Sequence, residues 1–343
     1  MKSNAFGLDI GTTTMKMVYL SRENNTFEYA SSAIVATPVP GMQSESPFDQ
    51  QEMAKFIAKC VSDAKITTNN VNISLPESQV FTKVIDMPFL SEKELANAIY
   101  WEAEQYIPAQ LETMNLDWNV LRTPKSGSTD EKMQVLLVAA PKALVSKYQA
   151  ILGLAGLNIA SVETDILSTV RSAGFMPNIT SLIVHISALS TSLAIVQNGI
   201  MVFNYSVPLG GIAMTRAIAS DFGFSPTQAE EYKRTYGLSD KNFGGKVGRA
   251  IEPILTEILS EIKKALAFYK EKYKTGTPVS QIMLSGGNAR LPGIEAYFVK
   301  NIGIQTAIEN PWKILRIQKT PEQIQVFGPD YAVAIGLALK EYE

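Results

Sequence analysis

Gly7-Leu-Asp-Ile-Gly-Thr-Thr-Thr-Met-Lys-Met-Val-Tyr-Leu20 is the stretch on which the fold turns. Phe6, Leu8 and Ile10 alternate as in a strand, Gly11 to Thr14 makes a small polar turn, and Met15 to Leu20 resumes an apolar strand. Such a turn can hold phosphate. Gly11 lets the backbone approach without a Cβ, successive N–H groups form an anion nest, and the hydroxyls of Thr12 and Thr13 add donors. Asp9, entering the turn, is placed to hold a hydrated Mg2+, an ion that sheds water reluctantly and usually takes only one or two carboxylates. Lys16, leaving the turn, can reach back to phosphate as a point charge. An ordinary hairpin with a solvated lysine fits this stretch equally well when it is taken alone.

The second half of the chain repeats the outline. Val184-His-Ile-Ser-Ala-Leu-Ser-Thr-Ser-Leu-Ala-Ile-Val196 reads strand, polar turn, strand. His185 stands where Asp9 stands, Ser187 where Gly11 stands, and Thr191 and Ser192 fall in the turn region. A chain that begins each half with this unit reads as an internal duplication. Two such hairpins facing each other across a cleft would grip a polyphosphate from both sides. In this the sequence resembles the actin-like ATPase superfamily. That resemblance implies an α/β, two-lobed actin-like fold with duplicated ribonuclease-H-like subdomains, and ATP with Mg2+ as cofactors.

Composition narrows the remaining classes. At 343 residues, with 46% hydrophobic and 19% charged side chains, the chain is globular and long enough for two lobes. A net charge of -2 without a long basic run argues against general nucleic-acid binding, which needs clustered Lys and Arg. The single cysteine, Cys60, lies at helical spacing with Met53, Phe56, Ile57 and Val61 and is expected in the core. The single histidine excludes His-rich metal sites. Asp9 interrupts the apolar start, so no signal peptide is expected. The most apolar span, Leu182 to Val196, is too short and too polar to cross a bilayer.

Between the hairpins the pattern changes. Strands are expected over Thr26 to Ile34 and Val71 to Leu75, with an amphipathic helix from Asp49 to Ala64 between them. From Val80 to Val162 a strand (Phe81 to Pro88) leads to a helix capped by Ser91, with Glu94 in the capping-box position, running to Tyr106. Strands at Leu116 to Leu121 and Met133 to Ala139 flank a polar turn, Lys125 to Lys132. A helix follows over Lys142 to Ala155, then a strand over Ile159 to Glu163. This stretch is expected to form an inserted α/β module. Met87-Pro88, Ser91-Glu-Lys-Glu-Leu95, Glu102-Ala-Glu-Gln-Tyr-Ile-Pro108, Asp117, Val135-Leu-Leu-Val-Ala-Ala140 and Ala155-Gly-Leu157 resemble the PilM family of type IV pilus assembly proteins, relatives of the division protein FtsA. The likeness extends over nearly the whole chain, and the insert is its most discriminating part.

The expected division is a first lobe over 1–79, the insert over 80–162, a helix returning to the first lobe over 163–183, a second lobe over 184–327 and a crossing helix over 328–343. The family resemblance implies a cytoplasmic scaffold peripheral to the inner membrane. It would bind the N-terminal cytoplasmic peptide of a PilN-like membrane protein, alongside other platform or motor components or further copies of itself. Tyr100, Trp101, Tyr106 and Ile107 offer aromatic and apolar surface for that peptide, or else pack the insert's own core.

The second lobe carries the remaining nucleotide signals. Gly210 and Gly211 precede a helix, where they either admit a nucleotide or form a tight turn. Ser225 caps the next helix. Its Glu230 and Lys233 resemble the superfamily's Ala-Glu-x-x-Lys element beside adenosine, and at i,i+3 they also suit a surface ion pair. A long helix is expected over Ile251 to Tyr273 with Pro253 in its first turn. Gly286 and Gly287 in Leu-Ser-Gly-Gly-Asn leave room for a flat base or ribose, and Asn288 can donate and accept. The last helix, from Pro329 to Lys340, carries Gly336 among small residues, as a closely packed crossing helix would.

No Walker A or Rossmann fingerprint is present. An FtsA-type amphipathic tail is not expected, as the sequence ends at Glu343. His185 and Ser187 replace the superfamily's usual Asp-x-Gly, so ATP binding is expected with weak or no hydrolysis. A sugar or carboxylate kinase of the same superfamily and an FtsA-like division protein stay open as alternatives.

Overall fold

Three hydrogen-bonded sheets carry the architecture of the computed structural model, which describes residues 5–24, 26–124, 132–174, 176–239, 244–273 and 277–342. The expected turn at 125–132, apart from Lys132, and the terminal Glu343 lie outside the described residues.

In chain order, β1 (Phe6–Ile10), β2 (Thr14–Glu23) and β3 (Thr26–Ala36) form an antiparallel meander, followed by α1 (Pro47–Asp63) and β4 (Asn70–Leu75). Next come β5 (Phe81–Met87), α2 (Glu92–Tyr106), β6 (Met114–Arg122), β7 (Met133–Pro141), α3 (Lys142–Leu154), β8 (Asn158–Thr164) and α4 (Asp165–Ser172). The second half opens with the meander β9 (Thr180–Ile186), β10 (Thr191–Gln197) and β11 (Ile200–Val207). It continues through α5 (Gly211–Phe222), α6 (Pro226–Tyr236), α7 (Lys246–Lys272), β12 (Val279–Ser285), α8 (Ile294–Ile302) and β13 (Gln305–Ile308). Two short helices, α9 (Pro311–Ile314) and α10 (Glu322–Gln325), lead to α11 (Ala332–Leu339).

The first sheet has the order β3-β2-β1-β4-β8 and the second β11-β10-β9-β12-β13. In each, a meander is followed by two parallel strands, so one topology occurs twice. The duplication expected from the hairpins is therefore a duplication of whole lobes. Cys60 is buried in the first-lobe core, as its helical spacing predicts, and burial pushes its thiol pKa up.

The inserted module is smaller than the sequence pattern suggests. Its sheet is β5-β7-β6, and α2 lays Leu95, Ile99 and Ala103 over Ile85, Val135 and Leu137. The Ser91 hydroxyl accepts from the Glu94 N–H, and the Glu94 carboxylate accepts from the Ser91 N–H. A cap of this kind is worth about 1 kcal/mol. By contrast, β8 pairs in parallel with β4, and Tyr148, Ile151 and Leu152 of α3 pack in the first-lobe core. The expectation that the insert runs to Val162 is corrected: 142–164 belongs by pairing and packing to the first lobe. The reason is geometric, since a parallel β4–β8 pair needs a long crossover, and the module is built within that crossover.

Pro253 does not sit in a first turn. Helix α7 begins at Lys246, because Val247, Ala250 and Ile251 extend its buried stripe upstream. An interior proline costs about 3 kcal/mol, offset here by that added apolar burial.

The two lobes meet where α4 crosses α11. A Cβ on Gly336 would overlap the Ser168 carbonyl, and one on Gly7 would overlap the Ala334 carbonyl. Arg171 clamps the crossing by donating to Glu163 at 2.5 and 2.9 Å and to the Gly336 carbonyl at 3.0 Å.

Candidate nucleotide site

The hairpins share one register. Asp9 lies opposite Lys16 in the first, and His185 lies opposite Ser192 in the second. Thr37 holds the first turn open from below, donating through Oγ1 to the Gly11 carbonyl at 2.7 Å and through its N–H to the Thr13 carbonyl at 3.0 Å. Thr12 and Thr13 are exposed at the tip, and the Lys16 ammonium donates to Asp9 at 3.0 Å. The second turn closes on itself: the Ser187 hydroxyl donates to the Ser190 carbonyl at 2.9 Å.

His185 is buried, with Nδ1 3.4 Å from the Ser285 hydroxyl and 3.5 Å from that of Thr169. Burial lowers its pKa to about 4; nearby Asp9 opposes the shift and Lys16 adds to it. Two things follow. The imidazole is neutral at pH 7 and cannot stand in for a carboxylate. The first hairpin's charges also act on the second hairpin's histidine.

Gly210, Gly211, Gly286 and Asn288 gather around the second turn, but the clearance beside the glycines is already filled, by backbone at Gly210 and Gly286 and by the Asn288 side chain at Gly211. A Cβ on Gly210 would stand 2.6 Å from the Ser187 carbonyl, and one on Gly286, whose φ is +85°, 2.6 Å from the Ile186 carbonyl. A Cβ on Gly211 would collide with the Asn288 amide, whose Nδ2 donates to the Ser187 carbonyl at 3.0 Å. The N–H groups of Gly211 and Ile212 donate to the Ser187 and Ala188 carbonyls, both at 2.9 Å. Gly287 faces Asp330, which pairs with Arg290 at 3.1 Å, and the Arg290 guanidinium lies 4.2 Å from the Phe327 ring centre.

Glu230 and Lys233 form no ordinary surface pair. Lys233 is buried and donates to Glu230 at 2.7 Å, to the Thr215 hydroxyl at 3.0 Å and to the Gly211 carbonyl at 3.1 Å. All three ammonium protons are thereby used, tying α6 to the start of α5 beside the second turn. Burial lowers the Lys233 pKa, opposed by Glu230; burial raises that of Glu230, but Lys233, Thr215 and Arg234 bring it below the usual value.

Of the expected partner surface, Trp101 is 68% and Tyr100 39% exposed, their rings meeting edge to face at 6.2 Å. Tyr106 is half-buried under the Lys83 ammonium, 4.1 Å from its ring centre. Ile107 is a correction: it is 6% exposed and packs in the insert's core, where its apolar side chain closes the end of α2.

Three buried carboxyl groups escaped the sequence reading. Glu77 and Asp165 lie together in the first lobe, and Glu309 accepts from Ser172 at 2.7 Å. None belongs to a motif, and only the fold brings them inside. Among the described residues no group of three or more His, Cys, Asp or Glu is assembled for a metal. The donors present suit phosphate at the first turn and a water-mediated cation at Asp9, and the second hairpin adds no carboxylate.

A family model described as type IV pilus assembly protein PilM matches residues 7–342. The chain belongs to the PilM family. Among solved structures, a PilM-PilN type IV pilus biogenesis complex has a chain 29% identical to this PilM-family chain, with a TM-score of 0.85 and coverage of 100% of both. The cell division protein FtsA of Streptococcus pneumoniae is 21% identical over 97% of this chain and 79% of that protein. MreB5 of Spiroplasma citri bound to ADP aligns with a TM-score of 0.56 at 13% identity, over 98% of this chain and 95% of that one. This last likeness shows the fold alone, that of the actin-like ATPases. This PilM-family chain has, among its described residues, no helix long and apolar enough to cross a membrane.

Proposed function

We propose that the chain is an ATP-binding scaffold of a type IV pilus inner-membrane platform, cytoplasmic and held at the membrane by the N-terminal peptide of a PilN-like protein. The observation that carries this reading is the likeness, along the full length of both, to a chain of a PilM-PilN type IV pilus biogenesis complex. Local geometry supports it. The module's sheet ends on β6, which pairs only with β7 among the described residues. The exposed Tyr100–Trp101 pair stands at the head of that strand, where the Tyr100 hydroxyl donates to Glu112 at 3.3 Å. An extended peptide can add main-chain hydrogen bonds along such an edge while alternate side chains fill pockets.

ATP with Mg2+ would lie between the hairpins, supplying the charge that the Gly11 turn and Lys16 hold, with Asp9 engaging the ion through water. His185, neutral and buried, neither recruits the metal nor activates water. Binding therefore serves to set the angle between lobes, a population shift rather than metabolic turnover. The test is calorimetry of the purified chain with ATP, with and without Mg2+, then with a PilN-type N-terminal peptide. Failure to bind either ligand would refute the proposal.

A further inference from the structure

Where β4, β5 and β8 meet the start of α4, four oxygens lie out of solvent without a hydrogen-bond partner: Glu77 Oε2, Thr82 Oγ1, Thr164 Oγ1 and Asp165 Oδ1. They belong to one place. The Glu77 N–H donates to the Asp165 carboxylate, and the Thr164 and Thr82 hydroxyls stand close enough to the Glu77 carboxyl to act on its pKa without bonding it in good geometry. Glu77 is 5% and Thr164 1% exposed. Three parts of the molecule meet here. Glu77, Thr164 and Asp165 come from the first lobe, Thr82 from the inserted module, and Asn204 of β11 from the second lobe. The Asn204 amide donates to Glu77 Oε1 at 2.9 Å and to the Thr82 carbonyl at 2.8 Å.

The charges here are one-sided. Those acting on Asp165 are Glu77 and Asp9, both negative, and Asp9 is already paired with Lys16. Two buried carboxylates need compensation, by a proton or by a cation. Without an ion, burial favours a proton on each, raising the Glu77 pKa to about 7 and that of Asp165 well above the usual carboxylate range, and a cation bound here would displace those protons. No carboxyl-to-carboxyl hydrogen bond joins Glu77 and Asp165, and each keeps an unused oxygen. Carboxylate and hydroxyl oxygens with no nitrogen or sulfur donor suit a hard cation, and two carboxylates match a charge of two.

We infer that Glu77 and Asp165, with the hydroxyls of Thr82 and Thr164, form a site for a hard divalent cation of the Mg2+/Ca2+ class. It is separate from the nucleotide's metal and joins the inserted module to both lobes. The ion removes the repulsion between the carboxylates and fixes β5 against the first lobe at the point where Asn204 ties in the second.

The test uses the full chain, stripped with chelator and free of nucleotide, titrated with CaCl2 and separately with MgCl2 by calorimetry and thermal melting. One saturable site per chain is expected for at least one ion, with the Tm raised by about 3 °C or more at hundred-fold excess over Kd. Asp9→Asn should keep a saturable site, weakened only by the loss of one nearby negative charge. Glu77→Gln with Asp165→Asn should lose at least ten-fold in affinity and melt higher than wild type in chelator, because the repulsion is gone. Should that variant not fold, Tb3+ luminescence of the wild type decides: emission displaced by Ca2+ supports the site. The inference is overturned by any of three results: no saturable, displaceable binding in wild type, binding that survives in the double variant, or binding lost in Asp9→Asn.

Discussion

The Lys16 ammonium donates to the Asp9 carboxylate at 3.0 Å across the first hairpin, both side chains largely shielded from solvent. The pair spans the mouth of the Gly11 turn. On the proposed reading, a phosphate entering that turn would meet Lys16 already positioned, while Asp9 would turn to the hydrated ion.

Lys16→Ala should therefore weaken ATP binding by roughly 1.5–3 kcal/mol, the value of a hydrogen bond to a charged group. Calorimetry of both proteins with ATP and Mg2+ measures it; equal affinities would remove Lys16 from the site. Turnover in the wild type should stay below about 1 s⁻¹, the lower end of the ordinary enzyme range.

His185→Asp with Ser187→Gly should make ATP binding more dependent on Mg2+. The new carboxylate would be buried near Asp9, so without the ion it is an uncompensated charge. The variant should melt below wild type in chelator and recover with ATP and Mg2+. A Tm unaffected by the ion would show that position 185 does not face the metal.

Acid and alkali act on different groups. His185, with its pKa lowered to about 4, takes up a proton more readily unfolded, so it costs stability as pH falls below about 6.5 toward 4. Glu309, with its pKa raised to about 7 by burial, holds its proton more tightly when folded, so its contribution is present below the unfolded value and fades as pH rises toward 7. Glu309→Gln should flatten the stability loss between about pH 4.5 and 7 by on the order of 3 kcal/mol. Denaturant titrations at several pH values check it, and an unchanged slope would count against a protonated Glu309.

Trp101→Ala and Ile107→Ala should separate binding from folding. Exposed Trp101 should be nearly neutral for stability and cost 2 kcal/mol or so in affinity for a PilN-type peptide. Buried Ile107 should cost about 2–5 kcal/mol of stability. Melting curves paired with peptide titrations tell the two apart.

Gly336→Ala should destabilise by at least about 1–3 kcal/mol, since its Cβ overlaps the Ser168 carbonyl and neither backbone can yield alone. Unfolding of Gly336→Ala beside a Gly303→Ala control, where a Cβ would meet nothing within 4 Å, checks it. Gly303 has a φ of +79°, so the control carries its own backbone strain, and the Gly336 loss should exceed it.

The lobes were legible in the sequence because hairpins announce themselves locally: apolar alternation, a small polar turn, then alternation again. The capping box at Ser91 and the cap at Ser225 were legible for the same reason, whereas the reciprocal Gln228 bond at Ser225 was not read. Membership of β8 was not, because a parallel partner lies across the whole inserted module and leaves no local trace. Gly210, Gly211 and Gly286 stood out in the sequence, but what fills the clearance beside them did not. That depends on Ile186 and Ser187 arriving from a strand a hundred residues earlier. At Ile107 the sequence left surface and core both open, and only the fold places its side chain in the insert's core. Glu77 and Asp165 carried no pattern, since their proximity exists only after folding.

The rear face of the inserted sheet, through Val84 and Leu136, packs against Ile183, Ala194 and Met201 of the second lobe, and Lys272 holds Asp86 at 2.9 Å. The module is covalently a branch of one lobe and mechanically fastened to the other. Any swing between the lobes must therefore shear it. Load applied by a tethered peptide at β6 would travel the opposite way along the same path. On the proposed docking, pulling at the membrane would then bias the cleft in turn.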